Sequence, residues 1–217
     1  MILNIFKPKG ITSFGVVRTI RYITKEKKVG HGGTLDPFAE GVLVIGTGKD
    51  TKLLTKITNE NKSYLATIKL GSTTNTLDLE GEVVKEKNIP TLSHDMIEDV
   101  LISFQGESMQ IPPMFSAKKV GGKKLYELAR KNIVVDREPA KITIDKINLI
   151  KYTKGKILFS VTCSKGTYVR VLGNDIAQKL GTVGYLESLI RTRVGSFSID
   201  NSKTIENFES SWKSYVQ

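Results

Sequence analysis

Cysteine occurs once in the 217 residues, at Cys163, which excludes an intramolecular disulfide and every multi-cysteine zinc arrangement. Histidine occurs twice, at His31 and His94, too few for a histidine-rich metal centre, and no structural metal is expected. No apolar run approaches the roughly 18 residues of a membrane-spanning helix, so no membrane is expected as a partner. The first ten residues lack a basic segment followed by an apolar stretch and a small-residue cleavage site, and the expected location is cytoplasmic. Acidic residues are short as well: 22 Asp and Glu against 33 Lys and Arg leave a net charge of +11 and a pI near 9.6. Such a balance favours a polyanionic partner, nucleic acid first, although ordinary basic solubility charge gives the same total. The length suits a single domain over residues 1–217.

The charge is uneven. Residues 78–107 hold eight acids against Lys85 and Lys87, a face expected to turn away from nucleic acid. Residues 116–137 hold seven basic residues (Lys118, Lys119, Lys123, Lys124, Arg130, Lys131, Arg137) against Glu127 and Asp136, with Gly121 and Gly122 interrupting the run. Tyr126 among these cations gives the mixture of charge and π-surface that grips RNA; a solvated basic helix with a half-buried tyrosine has the same composition.

Periodicity predicts an alternation of helix and strand. Ser13 is placed as the cap of a helix carrying Val16, Val17, Ile20 and Ile23 on one stripe and ending near Gly30. Residues 41–46 read as a short buried strand, and Tyr64, Ala66, Ile68 and Leu70 alternate with polar neighbours as a strand with one buried face. A helix is expected over 93–104, paired strands over 142–152 and 156–163 joined at Lys154 and Gly155, a helix over 171–180 and a strand over 194–199. The least regular segment, 109–139, opens with Pro112 and Pro113 and reads as an insertion.

Two phosphate-binding patterns fail. Around Gly46, Gly48 and Lys49 the first glycine is replaced by Leu43 and the hydroxyl residue by Asp50; around Gly30, Gly32 and Gly33 the third glycine is replaced by Leu35. No nucleotide cofactor is indicated. What remains is the run Gly30-His31-Gly32-Gly33-Thr34-Leu35-Asp36-Pro37, followed by Gly41. Glycine permits positive φ and close approach of backbone to a ligand, and proline fixes the chain just after the carboxylate, so Asp36 is presented on a defined loop. By composition alone an aspartate satisfying its own turn amides is the commoner case.

That run resembles the catalytic loop of the TruB-type tRNA pseudouridine synthases. It is accompanied in order by Lys7-Pro8-Lys9-Gly10 with Ser13, Lys62-Ser63-Tyr64, Ile111-Pro112-Pro113-Met114-Phe115-Ser116-Ala117, Gly122-Lys123-Lys124-Leu125-Tyr126, Ser164-Lys165-Gly166-Thr167-Tyr168-Val169-Arg170 and Leu189-Ile190-Arg191-Thr192-Arg193. The resemblance implies an α/β (α+β) pseudouridine synthase fold, with a mixed, largely antiparallel central sheet flanked by helices and a thumb-like basic insertion over about 109–139. It implies an isomerase, a tRNA pseudouridine(55) synthase: the target uridine of the T loop is flipped out, its N1 glycosidic bond breaks, and C5 of the turned uracil joins the same sugar carbon. The reaction needs no cofactor and no metal. The expected partner is the T arm of tRNA, and the expected state a monomer.

Site residues follow from the same resemblance. Asp36 aligns with the essential aspartate, acting as a nucleophile on sugar or base or as the base that starts glycal formation. Arg170 aligns with an arginine that pairs with that carboxylate and keeps it ionised. Tyr64 aligns with a tyrosine that stacks on the uracil and moves a proton. His31 is placed near the extruded nucleotide, Tyr168 in the base pocket and Leu189 on its apolar wall, while Lys7 supports the loop or touches phosphate. Lys118, Lys123 and Lys124 lie in the insertion that closes over the T loop, expected to be poorly ordered until RNA binds. Two positions depart from the pattern: Asn75 stands where aspartate is usual, leaving any carboxylate role there to Asp78, and Ile190 replaces a common arginine. Many relatives continue into a C-terminal PUA domain; the sequence stops at Gln217, so none is expected here.

Overall fold

A computed structural model describes residues 1–216, with side chains to residue 214. Its contacts resolve into two compact units, residues 1–65 with 189–217, and residues 66–188. The first contains β1 (Ile2–Lys7), α1 (Ser13–Thr24), β2 (Val29–His31), β3 (Glu40–Thr47), a 3-10 turn (Gly48–Leu53), α2 (Leu54–Asn59) and the start of β4 (Lys62–Leu70). The second takes the rest of β4, then β5 (Ser72–Thr74), β6 (Val83–Glu86), α3 (His94–Ile102), β7 (Gly106–Gln110), β8 (Lys119–Val120), β9 (Lys123–Lys124), α4 (Leu125–Ala129), β10 (Ala140–Thr153), β11 (Lys156–Cys163), α5 (Val169–Lys179) and the start of β12 (Gly184–Val194). The end of β12, β13 (Phe197–Ser198) and α6 (Ile205–Val216) return to the first. No helix among the described residues is long and apolar enough to cross a membrane.

In the first unit β3 is the organising strand. It pairs antiparallel with β1 and β2 and parallel with β12, through Ile190 opposite Glu40 and Arg191 opposite Gly41. Both faces of β3 are covered, which is why its sequence is continuously apolar. Leu43 and Ile45 pack with Ile5, Val16, Val17, Ile20 and Phe208, while Val42 and Val44 pack with Leu54, Ile57 and Val194. The stripe read for α1 is therefore core. The helix nevertheless starts one residue earlier in its capping and stops sooner than expected: Thr12, not Ser13, accepts from the Gly15 N–H at 2.9 Å, and Lys25 adopts a left-handed conformation (φ 57°) that ends it at Thr24.

In the second unit β10 pairs antiparallel with β7 and with β11, and the Lys154-Gly155 turn falls where expected. The buried residues of β4, from Lys62 to Leu70, alternate with more exposed neighbours as its period-2 pattern requires. The sheet is mixed, with antiparallel pairs in the majority. The strand expected over 194–199 is a correction: Val194 closes β12, Gly195 turns at φ 51°, and β13 folds back with Val194 opposite Phe197. The true strand over 184–194 was missed because Gly184, Tyr185 and Leu186 are all buried, which erases the alternation.

Gly41 shows how tightly the strands close. Its φ is +109°, and a Cβ there would strike the backbone carbonyl of Arg191 and lie 2.9 Å from the Arg191 nitrogen. Gly41→Ala combines a positive φ with a clash against backbone, so we expect a loss of more than about 3 kcal/mol, read as a lowered urea midpoint.

Candidate active site

The loop from Gly32 to Ala39 leaves β2 and re-enters at β3, and its fixation is legible bond by bond. Ser13 grips Leu35 from both sides: its Oγ donates to the Leu35 carbonyl at 2.9 Å and accepts from the Leu35 N–H at 2.8 Å. Its sequence role was read as a cap; its structural role is to tie α1 to the residue before Asp36. On the other side, the Pro37 carbonyl accepts from the Gly10 N–H at 2.9 Å and from Lys7 Nζ at 3.3 Å. The Ala39 N–H donates to the Asp36 carbonyl at 3.1 Å, closing a turn. Asp36 itself is half-buried.

Arg191 holds both shoulders of the loop. It is 1% exposed; Nε donates to the Val42 carbonyl at 2.8 Å, Nη1 to Thr34 at 3.1 Å and Nη2 to Gly33 at 3.1 Å. A guanidinium presents rigidly spaced donors, which one arginine can spread over three carbonyls as a lysine cannot. The motif carrying Arg191 was visible in the sequence, but no role was attached to it. Burial was the missing signal.

Lys7 is fully buried, with Nζ also on the carbonyls of Pro8 and Ile11 at 2.8 Å each. Of the two roles the sequence left open, this geometry is loop support and leaves no surface for a phosphate. Lys62, 6% exposed, donates to Thr58 and Glu60 carbonyls at 2.6 and 2.7 Å. A Cβ on Gly33 would lie 3.8 Å from Lys62 Cε and 4.0 Å from Arg191 Nη1, so both cations run beneath the loop. Three buried cations, Lys7, Lys62 and Arg191, thus lie around one aspartate loop. Tyr64 is buried two residues after Lys62 on the same face of β4, and Leu189 is buried two residues before Arg191 on the same face of β12.

The glycines divide differently from the sequence reading. Only Gly33 (φ +114°) and Gly41 use a positive φ. Gly30 and Gly32 are small because Leu54 and Ile57 of α2 press on them, where a Cβ would sit 3.1 and 2.8 Å from those side chains. Their reason is packing.

His31 ends β2, with Nδ1 buried and without a hydrogen-bond partner among the described residues. Burial first, then the Arg191 charge, push its pKa below the ordinary 6.5, against a smaller raising effect of the Gly33 backbone. Because the unfolded chain binds this proton more readily, the stability it confers is present above pH 6.5 and is lost as the pH falls from there toward the depressed folded value. We expect Tm to decline more steeply below pH 6.5 in the parent than in His31→Asn, measured by thermal scans from pH 7.5 to 5.

In the second unit Arg170 lies in the first turn of α5 and is 3% exposed. Nη1 pairs with Asp78 Oδ2 at 3.2 Å and donates to the Thr76 carbonyl at 2.6 Å; Nη2 donates to the Phe115 carbonyl at 2.8 Å. Asp78 is fixed in turn, Oδ1 accepting from Thr76 Oγ1 at 2.6 Å and the Glu80 N–H at 3.0 Å. The preceding Leu77 is held at φ 63°, a costly backbone for a bulky residue. The acidic block is thus not uniformly an outer face: Asp78 is interior, while Asn75 is exposed, its Oδ1 accepting from the Glu82 N–H at 3.2 Å and its N–H donating to the Glu82 carbonyl at 3.0 Å. Tyr168 is the N-cap of α5, two residues before Arg170. Its backbone is bonded twice by Gln110, whose Oε1 accepts the Tyr168 N–H at 2.8 Å and whose Nε2 donates to the Tyr168 carbonyl at 3.2 Å. Gln110, buried at the end of β7, anchors the base of the insertion to α5 and was missed in the sequence.

The insertion has structure of its own. Gly121 (φ 56°) and Gly122 (φ 80°) form the two-residue turn of the β8–β9 hairpin, as left-handed turn positions require. Lys118 reaches the Glu138 carbonyl at 3.4 Å, Lys123 is exposed, and Lys124 donates to the Tyr126 hydroxyl at 3.2 Å. Lys124 and Arg130 both lie 5.4 Å from the Tyr126 ring centre. Elsewhere, His94, Asp95 and Glu98 bring three ligand atoms within 4.8 Å on the surface of α3, where His94 and Glu98 face each other one helical turn apart.

Over its whole length the chain has the fold of the pseudouridine synthases. It superposes on a crystal structure of a Cbf5-Nop10-Gar1 complex with a TM-score of 0.79 at 27% identity, covering 100% of this chain and 55% of that one. A structure of an H/ACA RNP bound to a substrate RNA containing 2'-deoxyuridine gives 0.74 at 25% identity, again covering 55% of that chain. Residues 21–169 match the TruB family pseudouridylate synthase (N terminal domain). Curated proteins called tRNA pseudouridine synthase B are similar throughout: 49% identical over 209 residues in Clostridium kluyveri and 48% over 206 residues in Clostridium tetani, covering 96% and 95% of this chain and 72% and 71% of theirs. The chain belongs to the TruB family of pseudouridylate synthases.

Proposed function

We propose that this chain converts the T-loop uridine at position 55 of tRNA into pseudouridine. The fixation of Asp36 carries the reading: Ser13, Lys7, Gly10 and Arg191 hold its loop from every side, which orients one carboxylate at low entropic cost to the reaction. Asp36 attacks sugar or base, or removes the proton that opens a glycal route; Arg170 supports the ionised carboxylate; Tyr64 stacks on the uracil and takes part in proton transfer. Tyr168 and Leu189 line the base pocket and His31 lies near the extruded nucleotide. The isomerisation is internally balanced: the N1 bond to the sugar carbon breaks, the C5 bond to that carbon forms, C5 gives up its proton to solvent and N1 takes one up in exchange. It consumes no oxidant, hydride or phosphate. Unstacking the target base is the cost that RNA contacts must offset, and Lys118, Lys123 and Lys124 of the basic hairpin segment supply such contacts. That segment tightens onto the T arm, so bound tRNA should protect it from limited proteolysis.

The test is mass mapping of pseudouridine in tRNA incubated with the purified chain. Modification at the T-loop uridine supports the reading; modification elsewhere overturns the substrate; tRNA remodelling without pseudouridine overturns the enzyme.

A further inference from the structure

The outward face of α1 plays no part in the site described above. Phe14, Arg18, Arg21, Tyr22 and Lys25 recur at the three-and-four spacing of one helix face, opposite Val16, Val17 and Ile20 in the core. All five are exposed, Phe14 at 58% and Tyr22 at 72%. Lys25 Nζ stands 4.1 Å from the Tyr22 ring centre. Exposed Lys27 and Lys28 follow, and the Gly48 N–H donates to the Lys28 carbonyl at 2.7 Å, bringing the 3-10 turn with Lys49 and Lys52 beside them. Arg18, Arg21, Lys27 and Lys28 form no ion pair among the described residues, and Asp50 is already held by the N-terminal ammonium at 2.9 Å.

Unpaired cations interleaved with exposed rings suit RNA, where charge meets phosphate and rings meet ribose or base. The same composition does not suit a membrane surface, because the apolar side of this helix is already buried in the protein. Position narrows the ligand. The N-terminal end of α1 is tied to the Asp36 loop through Ser13, and twelve residues carry its other end about 18 Å away.

We propose that the outer face of α1, residues 14–28, is a second RNA-docking surface that grips the part of tRNA beyond the T arm. The proposal rests on the tRNA reading above. Its test compares the parent with the triple variant Arg21→Gln, Lys25→Asn, Lys28→Gln, in which asparagine suits the left-handed conformation at position 25. Binding and turnover are measured on full-length tRNA and on an isolated T-arm hairpin between 50 and 200 mM salt. We expect tRNA affinity to fall about tenfold or more and its salt slope to drop by about 2 to 3, with hairpin binding and turnover unchanged and Tm preserved. Tyr22→Ala should weaken tRNA several-fold without changing the slope. Unaltered tRNA binding overturns the proposal, as does an equal loss on tRNA and hairpin. Absence of pseudouridine in both RNAs with the parent chain overturns the functional reading instead, while the binding contrast still decides the docking surface.

Discussion

Asp36→Asn should reduce turnover by about four orders of magnitude or more, the scale on which deleting a reacting group acts when the rest of a site remains. The substitution keeps the side chain's shape, and the surrounding loop is held through backbone groups of Gly33, Thr34, Leu35 and Pro37, none of which depends on the Asp36 carboxylate. Folding and RNA binding should therefore survive. Tritium release from tRNA labelled at uridine C5 measures the effect, with Kd for the same tRNA alongside. A loss of turnover at unchanged Kd assigns Asp36 to the chemistry; undiminished turnover removes it.

Asp78→Ala should cost about 3 to 5 kcal/mol of stability, because it takes the Asp78 charge away from a buried guanidinium. The side chains of Arg170 and Asp78 are 4% and 5% exposed, so solvent cannot replace the lost partner. The loss also removes the carboxylate that accepts from Thr76 Oγ1 and the Glu80 N–H on either side of the turn at Leu77. Urea unfolding measures it, and the double variant Asp78→Ala/Arg170→Met should lose clearly less than the sum of the single variants, since both members of the pair are then gone. Turnover should fall as well in Asp78→Asn, in which Arg170 keeps its carbonyl acceptors and loses the Asp78 charge. Full stability in Asp78→Ala would mean that the pair contributes nothing net.

Local grammar was readable where the backbone itself sets the rule. The 153–156 hairpin followed from Lys154-Gly155, and the alternation of β4 from its period of two. The two glycines at 121 and 122 were read as interruptions in a basic run, although they are the turn of a hairpin, because a tight turn and a flexible break use the same residue. Ser13 is the cap by composition, but its hydroxyl is taken by Leu35 in the fold and the neighbouring Thr12 caps the helix instead.

What the sequence by itself determined was the chemistry available: one aspartate fixed by proline, a strong cationic excess, no sulfur or imidazole cluster, and motifs in the order of one family. What tertiary structure alone decided was the assignment of the buried cations. Lys7, Arg170 and Arg191 look alike as charged letters, yet burial commits Lys7 and Arg191 to carbonyls of the Asp36 loop and gives Arg170 a partner in Asp78. The physical reason is that desolvation makes a cation's partners obligatory, and those partners lie 30 to 158 residues away in the chain, where no local pattern reaches.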